Sequence, residues 1–247
     1  AKALAFSWDL PLLGVHHLEG HLYANWIEDG QWDDEHKGDP PSPSVALIAS
    51  GGHTDLVLIN GHGDYRLLGR TRDDAVGEGF DKVARMLGLG FPGGPPVEQA
   101  ATHSHDPVSF PRPRIRDSRD FSFSGLKSAV LRAVDARGGT DGLSTGQVHD
   151  LAAGFQQAAI EVLATRLRDA AKDYGAKAVM LSGGVAANGA LRREVLARVP
   201  LPLWCPRPSL CTDNGVMIAA GAHFLLEAGA RHGFDLDVDP SLPMVAT

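Results

Sequence analysis

Val45-Ala46-Leu47-Ile48-Ala49-Ser50-Gly51-Gly52-His53-Thr54 is a short, unbroken apolar run that stops on Ser-Gly-Gly. A run of this length, with β-branched residues and a glycine break, predicts a strand buried on both faces. The pattern returns late in the chain as Val179-Met180-Leu181-Ser182-Gly183-Gly184. In open α/β sheets ligands sit beyond the C-terminal ends of strands, so the two Ser-Gly-Gly turns are expected to face one ligand from either side.

Downstream of the first turn, Asp55 to Ile59 predicts a second strand, Asn60-Gly61-His62-Gly63 a turn, and Tyr65 to Leu68 a third strand. Asp73 to Leu87 has helical spacing, with Phe80, Val83, Ala84 and Leu87 on one face and Gly88 and Gly90 at its end. Phe91-Pro92-Gly93-Gly94-Pro95-Pro96 reads as a rigid corner before a short helix at Val97 to Ala101. Residues 103–120 are irregular, a helix opens at Phe121-Ser122-Phe123-Ser124-Gly125, and a long amphipathic helix runs from Gln147 to Tyr174. Then come a strand at Ala178 to Leu181, a helix at Asn188 to Val199, a strand at Leu203 to Cys205 and a helix at Thr212 to Ala228. A hairpin followed by β-α alternation predicts an α/β domain with a mixed sheet. Upstream, the expectation is a helix end and a short strand near Pro11 to Val15, a helix from His17 to about Glu28, and a proline-rich linker over 29–44. The tail from Phe234 to Thr247 is expected to be loosely held.

Composition narrows the function classes. With 23 Lys+Arg against 30 Asp+Glu, the 247-residue chain carries a net charge of -7, which argues against a generically basic nucleic-acid binder. Any RNA contact would be a local patch. Two cysteines, Cys205 and Cys211, make neither a disulfide framework nor a CxxC clamp, which favours a reducing, cytoplasmic setting. No apolar run has the length of a membrane span. The chain opens on Ala1 part-way through an element, and a further N-terminal portion is expected ahead of it.

Several residues carry candidate chemistry. In His16-His17-Leu18-Glu19-Gly20-His21, His17 and His21 are four apart, one above the other on a helix face, able to hold a metal or to be ordinary helix residues. The pair is not a zincin motif, because Leu18 rather than Glu follows His17. Asp213, beside Thr212 at an expected helix start, reads equally as a first-turn acid. The two Ser-Gly-Gly turns and Gly93-Gly94 make three corners where a backbone can approach a nucleotide closely. Asn188 is a helix cap or a ligand contact, and Asp81 and Glu98 are solvated acids or partners of a ribose hydroxyl. Arg112, Arg114, Arg116 and Arg119, with Lys127 as an extension, are either a solvated loop or a contact to a phosphate backbone.

Seven motifs in fixed order resemble one family over nearly the whole chain. They are His16 to His21, Ser50-Gly51-Gly52-His53-Thr54, Gly77-Glu78-Gly79-Phe80-Asp81-Lys82, Phe91 to Pro95, Phe121 to Lys127, Ser182 to Asn188, and Cys211-Thr212-Asp213-Asn214-Gly215. The chain is similar to the TsaD family (formerly Gcp), which makes threonylcarbamoyladenosine in tRNA. The resemblance implies a two-lobed fold of the actin, Hsp70 and sugar-kinase (ASKHA) type. Residues 1–44 would be a remnant of the first lobe carrying the histidine helix and a linker. Residues 45–247 would be the second lobe, with a helical and irregular insertion around 100–150.

The same resemblance implies transfer of the threonylcarbamoyl group from threonylcarbamoyl-adenylate to the exocyclic amine of the adenosine 3′ of the anticodon, in tRNAs reading ANN codons. It implies one divalent metal, iron or zinc, on His17, His21 and Asp213. The adenylate, or ATP or AMP, would lie against Ile48, Ala49, Ser50, Gly51 and Gly52, with Asp81, Gly94, Glu98 and Asn188 as further contacts. Implied partners are tRNA, a non-catalytic paralogue and an ATPase (TsaB- and TsaE-like), with no membrane. The family's acidic phosphate loop and most of its first lobe, on the order of 100 residues, have no counterpart here. The family activity is therefore expected of the intact protein. Two other readings compete: a metalloendopeptidase acting on sialoglycoproteins, against which the missing Glu beside His17 counts, and an ATP-binding module without transferase activity.

Overall fold

In the computed structural model, residues 1–27, 41–239 and 242–244 are described. Strand β1 (Ser44–Ala49) is buried along its whole length. It has a partner on each side: β2 (Thr54–Gly61) antiparallel and β4 (Ala178–Ser182) parallel. β3 (Asp64–Arg70) closes one edge antiparallel to β2, and β5 (Leu203–Trp204) the other, parallel to β4, giving the order β3-β2-β1-β4-β5. The sheet is mixed, as expected.

Side chains alternate between two cores, as a two-residue period requires. Val45, Leu47, Ala49, Leu56, Leu58, Val179 and Leu181 face a large core completed by α3 (Val76–Met86), α4 (Gly94–Ala101), α5 (Ser124–Asp135), α6 (Thr145–Asp173) and α7 (Gly189–Arg198). Ala46, Ile48, Val57, Ile59, Ala178 and Met180 face a smaller core with Trp204 and with Leu18 and Leu22 of the histidine helix. Helix α6 has 29 residues and opens on a capping box between Ser144 and Gln147. A Cβ at its Gly154 would strike the Val108 carbonyl, so the irregular 102–123 segment lies flat against it.

Several expectations change at their ends, α3 beginning at Val76 rather than Asp73 and α4 at Gly94 rather than Val97. Leu12 makes one antiparallel bridge to His232 instead of joining a strand near residues 11–15, and Pro11 beside it has no N–H for a ladder. The histidine helix α2 (His17–Tyr23) gives way to a 3-10 turn at Ala24–Trp26 well before Glu28. The cause is tertiary: buried Asn25 donates to the Leu22 carbonyl and to Ser182 Oγ at 2.9 Å, drawing the chain off the helix axis. The tail is docked where it is described. Phe234 packs edge-on against Phe6 of α1 (Lys2–Ser7), Leu236 fills the space over Gly14, and His16 Nε2 lies 2.7 Å from the Leu242 carbonyl. The last helix begins at Gly215 rather than Thr212, after a short α8 (Pro208–Cys211). Residues 29–40 of the expected linker, and Glu28 at the expected helix end, lie outside the described residues. No helix among the described residues is long and apolar enough to cross a membrane.

Candidate functional site

Helix α9 (Gly215–Glu227) crosses α2 at very short range. A Cβ at Gly20 would lie 2.8 Å from Ile218, and one at Gly221 would lie 2.9 Å from Val15. This close crossing carries the turn before α9 to the histidines. Leu18 and Leu22 hold α2 on the sheet, each burial stabilising by about 1.5–3 kcal/mol.

The cap of α9 decides the role of Asp213. Asn214 is the N-cap, its side-chain oxygen accepting from Met217 N at 2.8 Å. Asp213 therefore does no capping. Its Oδ1 stands 3.2 Å from His21 Nε2 and 3.5 Å from His17 Nε2. One ligand atom from each of the three residues falls within 4.8 Å of the others. His21 is 1% exposed, and neither ring nitrogen makes a hydrogen bond despite the nearby carboxylate. A buried, unsatisfied imidazole nitrogen costs about 1–3 kcal/mol. Burial first, then the adjacent His17, lowers the His21 pKa, and Asp213 opposes them. The shift favours the neutral ring, the form that ligates a metal. Two imidazoles and a carboxylate suit a borderline divalent ion, and the orphaned Nε2 of His21, which faces Asp213, fits such an ion. The residue a zinc protease would use as its base is here Leu18, buried in the smaller core.

Beside this cluster lies a cavity of about 370 Å³. Gly51 from the first Ser-Gly-Gly turn and Gly184 from the second both line it, as do Asp81, Gly94, Glu98 and Asn188. Asp81, Glu98 and Asn188 are also fixed structurally. Asp81 Oδ1 accepts from Gly93 N at 2.7 Å, and Glu98 Oε1 accepts from Gly189 N at 2.8 Å. Asn188 caps α7 by accepting from Leu191 N, while its Nδ2 donates to Gln156 Oε1 at 2.9 Å. A carboxylate offers about four acceptor sites, so Asp81 and Glu98 each retain capacity for a ligand hydroxyl.

The other candidates fall differently. Ile48 and Ala49 are buried strand residues with side chains in opposite cores, so the end of β1 could offer a ligand only backbone. Ser50 folds inward: its Oγ accepts from His53 N and its carbonyl from Gly77 N. Gly52 is exposed and stands off the cavity wall. Sequence reasoning did not single out Phe80, Pro92, Pro95, Val185 and Thr212 as wall residues. Their signal was adjacency, since each sits within or beside one of the ordered motifs. Thr212 joins the cavity to Asp213.

The cations separate. Arg112 pairs with Glu161 and Arg119 with Asp173, both at 2.7 Å. Lys127 lies away from them, bound at 2.5 Å to Asp74, which also holds Lys82. Arg114 and Arg116 are exposed.

The structure resembles two solved HypF proteins: that of T. kodakarensis (TM-score 0.63, 18% identity, 92% of this chain and 39% of that one) and a full-length HypF in a phosphate- and nucleotide-bound form (TM-score 0.64, 14% identity, 91% and 45%). At these identities the likeness establishes the fold alone, an α/β lobe of the actin, Hsp70 and sugar-kinase type. Sequence comparison goes further. A tRNA N6-adenosine threonylcarbamoyltransferase of Thermomicrobium roseum is 50% identical over 263 residues, covering 99% of this chain and 72% of the relative. Those of Symbiobacterium thermophilum and Bacillus subtilis are 51% and 42% identical, covering 98% and 100% of this chain and 69% of each relative. The family described as "TsaD: tRNA N6-adenosine threonylcarbamoyltransferase" matches residues 1–220, and the chain belongs to that family.

Proposed function

We propose that the protein transfers a threonylcarbamoyl group from threonylcarbamoyl-adenylate to the exocyclic amine of the adenosine 3′ of the anticodon in tRNAs reading ANN codons. The observation that carries the reading is the convergence of His17, His21 and Asp213 beside a nucleotide-sized cavity walled by both Ser-Gly-Gly turns. His17, His21 and Asp213 would hold one divalent ion, iron or zinc, which when bound supplies Lewis-acid polarisation of a carbamoyl oxygen.

The protein's residues have distinct tasks in this reading. The amine nitrogen forms a bond to the carbamoyl carbon as the carbon–oxygen bond to the phosphate breaks. AMP and one proton leave. The donor is already activated, so no protein nucleophile is needed. Asp81 and Glu98 accept from the ribose hydroxyls, and Asn188, locked by Gln156, presents a fixed amide at the cavity wall. Backbone N–H groups at Gly51 and Gly184, both in the cavity wall, would hold the leaving phosphate in the manner of a backbone anion nest. Those dipoles are pre-oriented, so little reorganisation accompanies the step.

The partners that complete the reaction would be tRNA, a non-catalytic paralogue and an ATPase of the TsaB and TsaE kinds. A reducing cytoplasm suits the free thiols of Cys205 and Cys211. The test is threonylcarbamoyl transfer to tRNA by the protein with those partners, read as modified nucleoside by mass spectrometry. His17→Ala and Asp213→Ala should each lower bound metal to well below one ion per chain and transfer by on the order of 100-fold. Absence of product from metal-replete protein would overturn the proposal.

A further inference from the structure

The five cations first grouped as one RNA contact do not act alike. Arg112, Arg119 and Lys127 are each spent on a carboxylate, whereas a second set surrounds a separate cleft of about 500 Å³ between the 111–119 segment and the C-terminal part of α6. Arg114, Arg166 and Lys172 line that cleft with no carboxylate bound to any of them among the described residues.

Arg166 is the informative member. It is 8% exposed, and its guanidinium donates only to the backbone carbonyls of Ser118 at 2.5 Å and Ile115 at 3.0 Å. Buried cations are normally paired, and carbonyl oxygens leave the charge uncompensated. Burial first, and then Arg114, lowers its pKa, with Asp169 and Asp120 opposing. The acids of the cleft are already engaged: Asp173 by Arg119 and Asp169 by Arg168, each at 2.7 Å. Asp117 is left alone against three cations. At the same end of α6, Tyr174 lies between Arg66 and Arg119, whose guanidinium carbons are 5.5 Å and 5.1 Å from its ring centre. In a chain of net charge -7, this is a local positive surface.

Position selects the ligand. Gln156, which holds the cavity residue Asn188, and Arg166 are on one unbroken helix. At 1.5 Å rise per residue the cleft begins about 15 Å along that helix from the donor cavity, and Lys172 lies about 24 Å along it. A donor the size of an adenylate in the cavity does not reach so far. A polymer does.

We propose that the cleft bounded by Arg114, Arg166 and Lys172 is a docking site for the phosphodiester backbone of the acceptor RNA, away from the modified base. This rests on the reading that the acceptor is tRNA. Backbone contacts of this kind set register and orientation and carry no sequence information.

The experiment measures tRNA affinity of the full chain by fluorescence anisotropy at several salt concentrations. The variants are Arg114→Gln/Lys172→Gln, both exposed positions, and Arg112→Gln as the paired control, with thermal unfolding checked for each. The double variant should bind about tenfold more weakly, with a salt slope reduced by roughly 1.5 to 2, while the control stays within twofold. Transfer at saturating tRNA should be unchanged. Inorganic phosphate, titrated against the bound tRNA, separates the sources of the anion. Displacement only at concentrations that screen generally supports the RNA site, and tight phosphate binding with an unchanged tRNA slope overturns it. Wild-type affinity and slope in the double variant, in a protein that still modifies tRNA, would sink the cleft and leave the activity standing. No tRNA binding by the unsubstituted protein would sink both.

Discussion

The two Ser-Gly-Gly turns share three residues and a preceding buried strand, yet they are built for different work. The register explains it. Ile48 pairs with Ser182, so the second turn begins while β1 still has two residues to run. Ser182 is fully buried and accepts from Asn25, and Gly183 takes a φ of +85° with its Cα against the Ala49 carbonyl. Ser50 lies beyond the pairing, where Ser50 N donates to the His53 carbonyl to close a hairpin at whose Gly51 and Gly52 a Cβ would enter open space. The second turn is locked beneath its neighbour through Gly183 and reaches the cavity only at Gly184, whereas the first stands open at Gly51 and Gly52. Identical residues thus acquire separate roles from a two-residue offset in one parallel pair.

That contrast breaks most visibly at Gly183. Gly183→Ala forces an L side chain into the left-handed region and drives its Cβ into the Ala49 carbonyl, so a loss of about 3 kcal/mol or more is expected in denaturant unfolding. A stability near the parent's would show that the two turns are interchangeable after all. An intermediate effect is expected where the open turn is braced. Gly77 at the start of α3 donates to the Ser50 carbonyl, and the loop entering α3 is held by Asp73, which accepts from Ser122 Oγ, Phe123 N and Ser124. Burial raises the Asp73 pKa, but those hydrogen bonds together outweigh it and hold the carboxyl below its usual range. Its stabilisation is therefore full above the unfolded value of roughly 3.9 and is lost as pH falls through the folded one. Asp73→Asn should cost about 1–2 kcal/mol at neutral pH, the side chain being largely exposed. The difference from the parent should close on acidification below about pH 4, and a gap that stays constant to pH 3 would exclude the carboxylate as the cause. The smallest stability effect belongs to Gly51→Ala, within about 0.5 kcal/mol, because its Cβ enters open space. That space is the cavity walled by both turns, so on the proposed reading adenylate affinity should fall several-fold with unfolding unchanged. Unaltered nucleotide binding by calorimetry would place the donor elsewhere.

Much of this was legible in the residues. The unbroken apolar runs at 45–49, 56–59 and 178–181 are local properties, and with the turn at 60–63 and the later β-α alternation they point to a mixed sheet. The spacing of His17 and His21 is equally local. Spacing alone left Asp213 open, since beside Thr212 at an expected helix start it reads equally as a first-turn acid, and only the family resemblance implies it as a ligand. Only the observed bond from Met217 N to Asn214 releases the aspartate toward the histidines. The end of α2 was misjudged for a related reason: Asn25 bonds to Ser182, a residue 157 positions away. Lys127 and Arg112 looked like members of one basic stretch until their carboxylate partners appeared from distant segments.

The sequence by itself determined the elements, their buried faces and the family, because these depend on periodicity and on the order of motifs along the chain. The tertiary structure alone decided which groups meet. Gly20 and Gly221 allow α2 and α9 to touch, and that contact brings a histidine pair and an aspartate from opposite ends of the chain within reach of one ion. It also decided which charges stay free, since neutralisation depends on partners that sequence separation hides. Coulomb and hydrogen-bond energies fall off over a few ångströms in space, whereas a chain states its neighbours only in order.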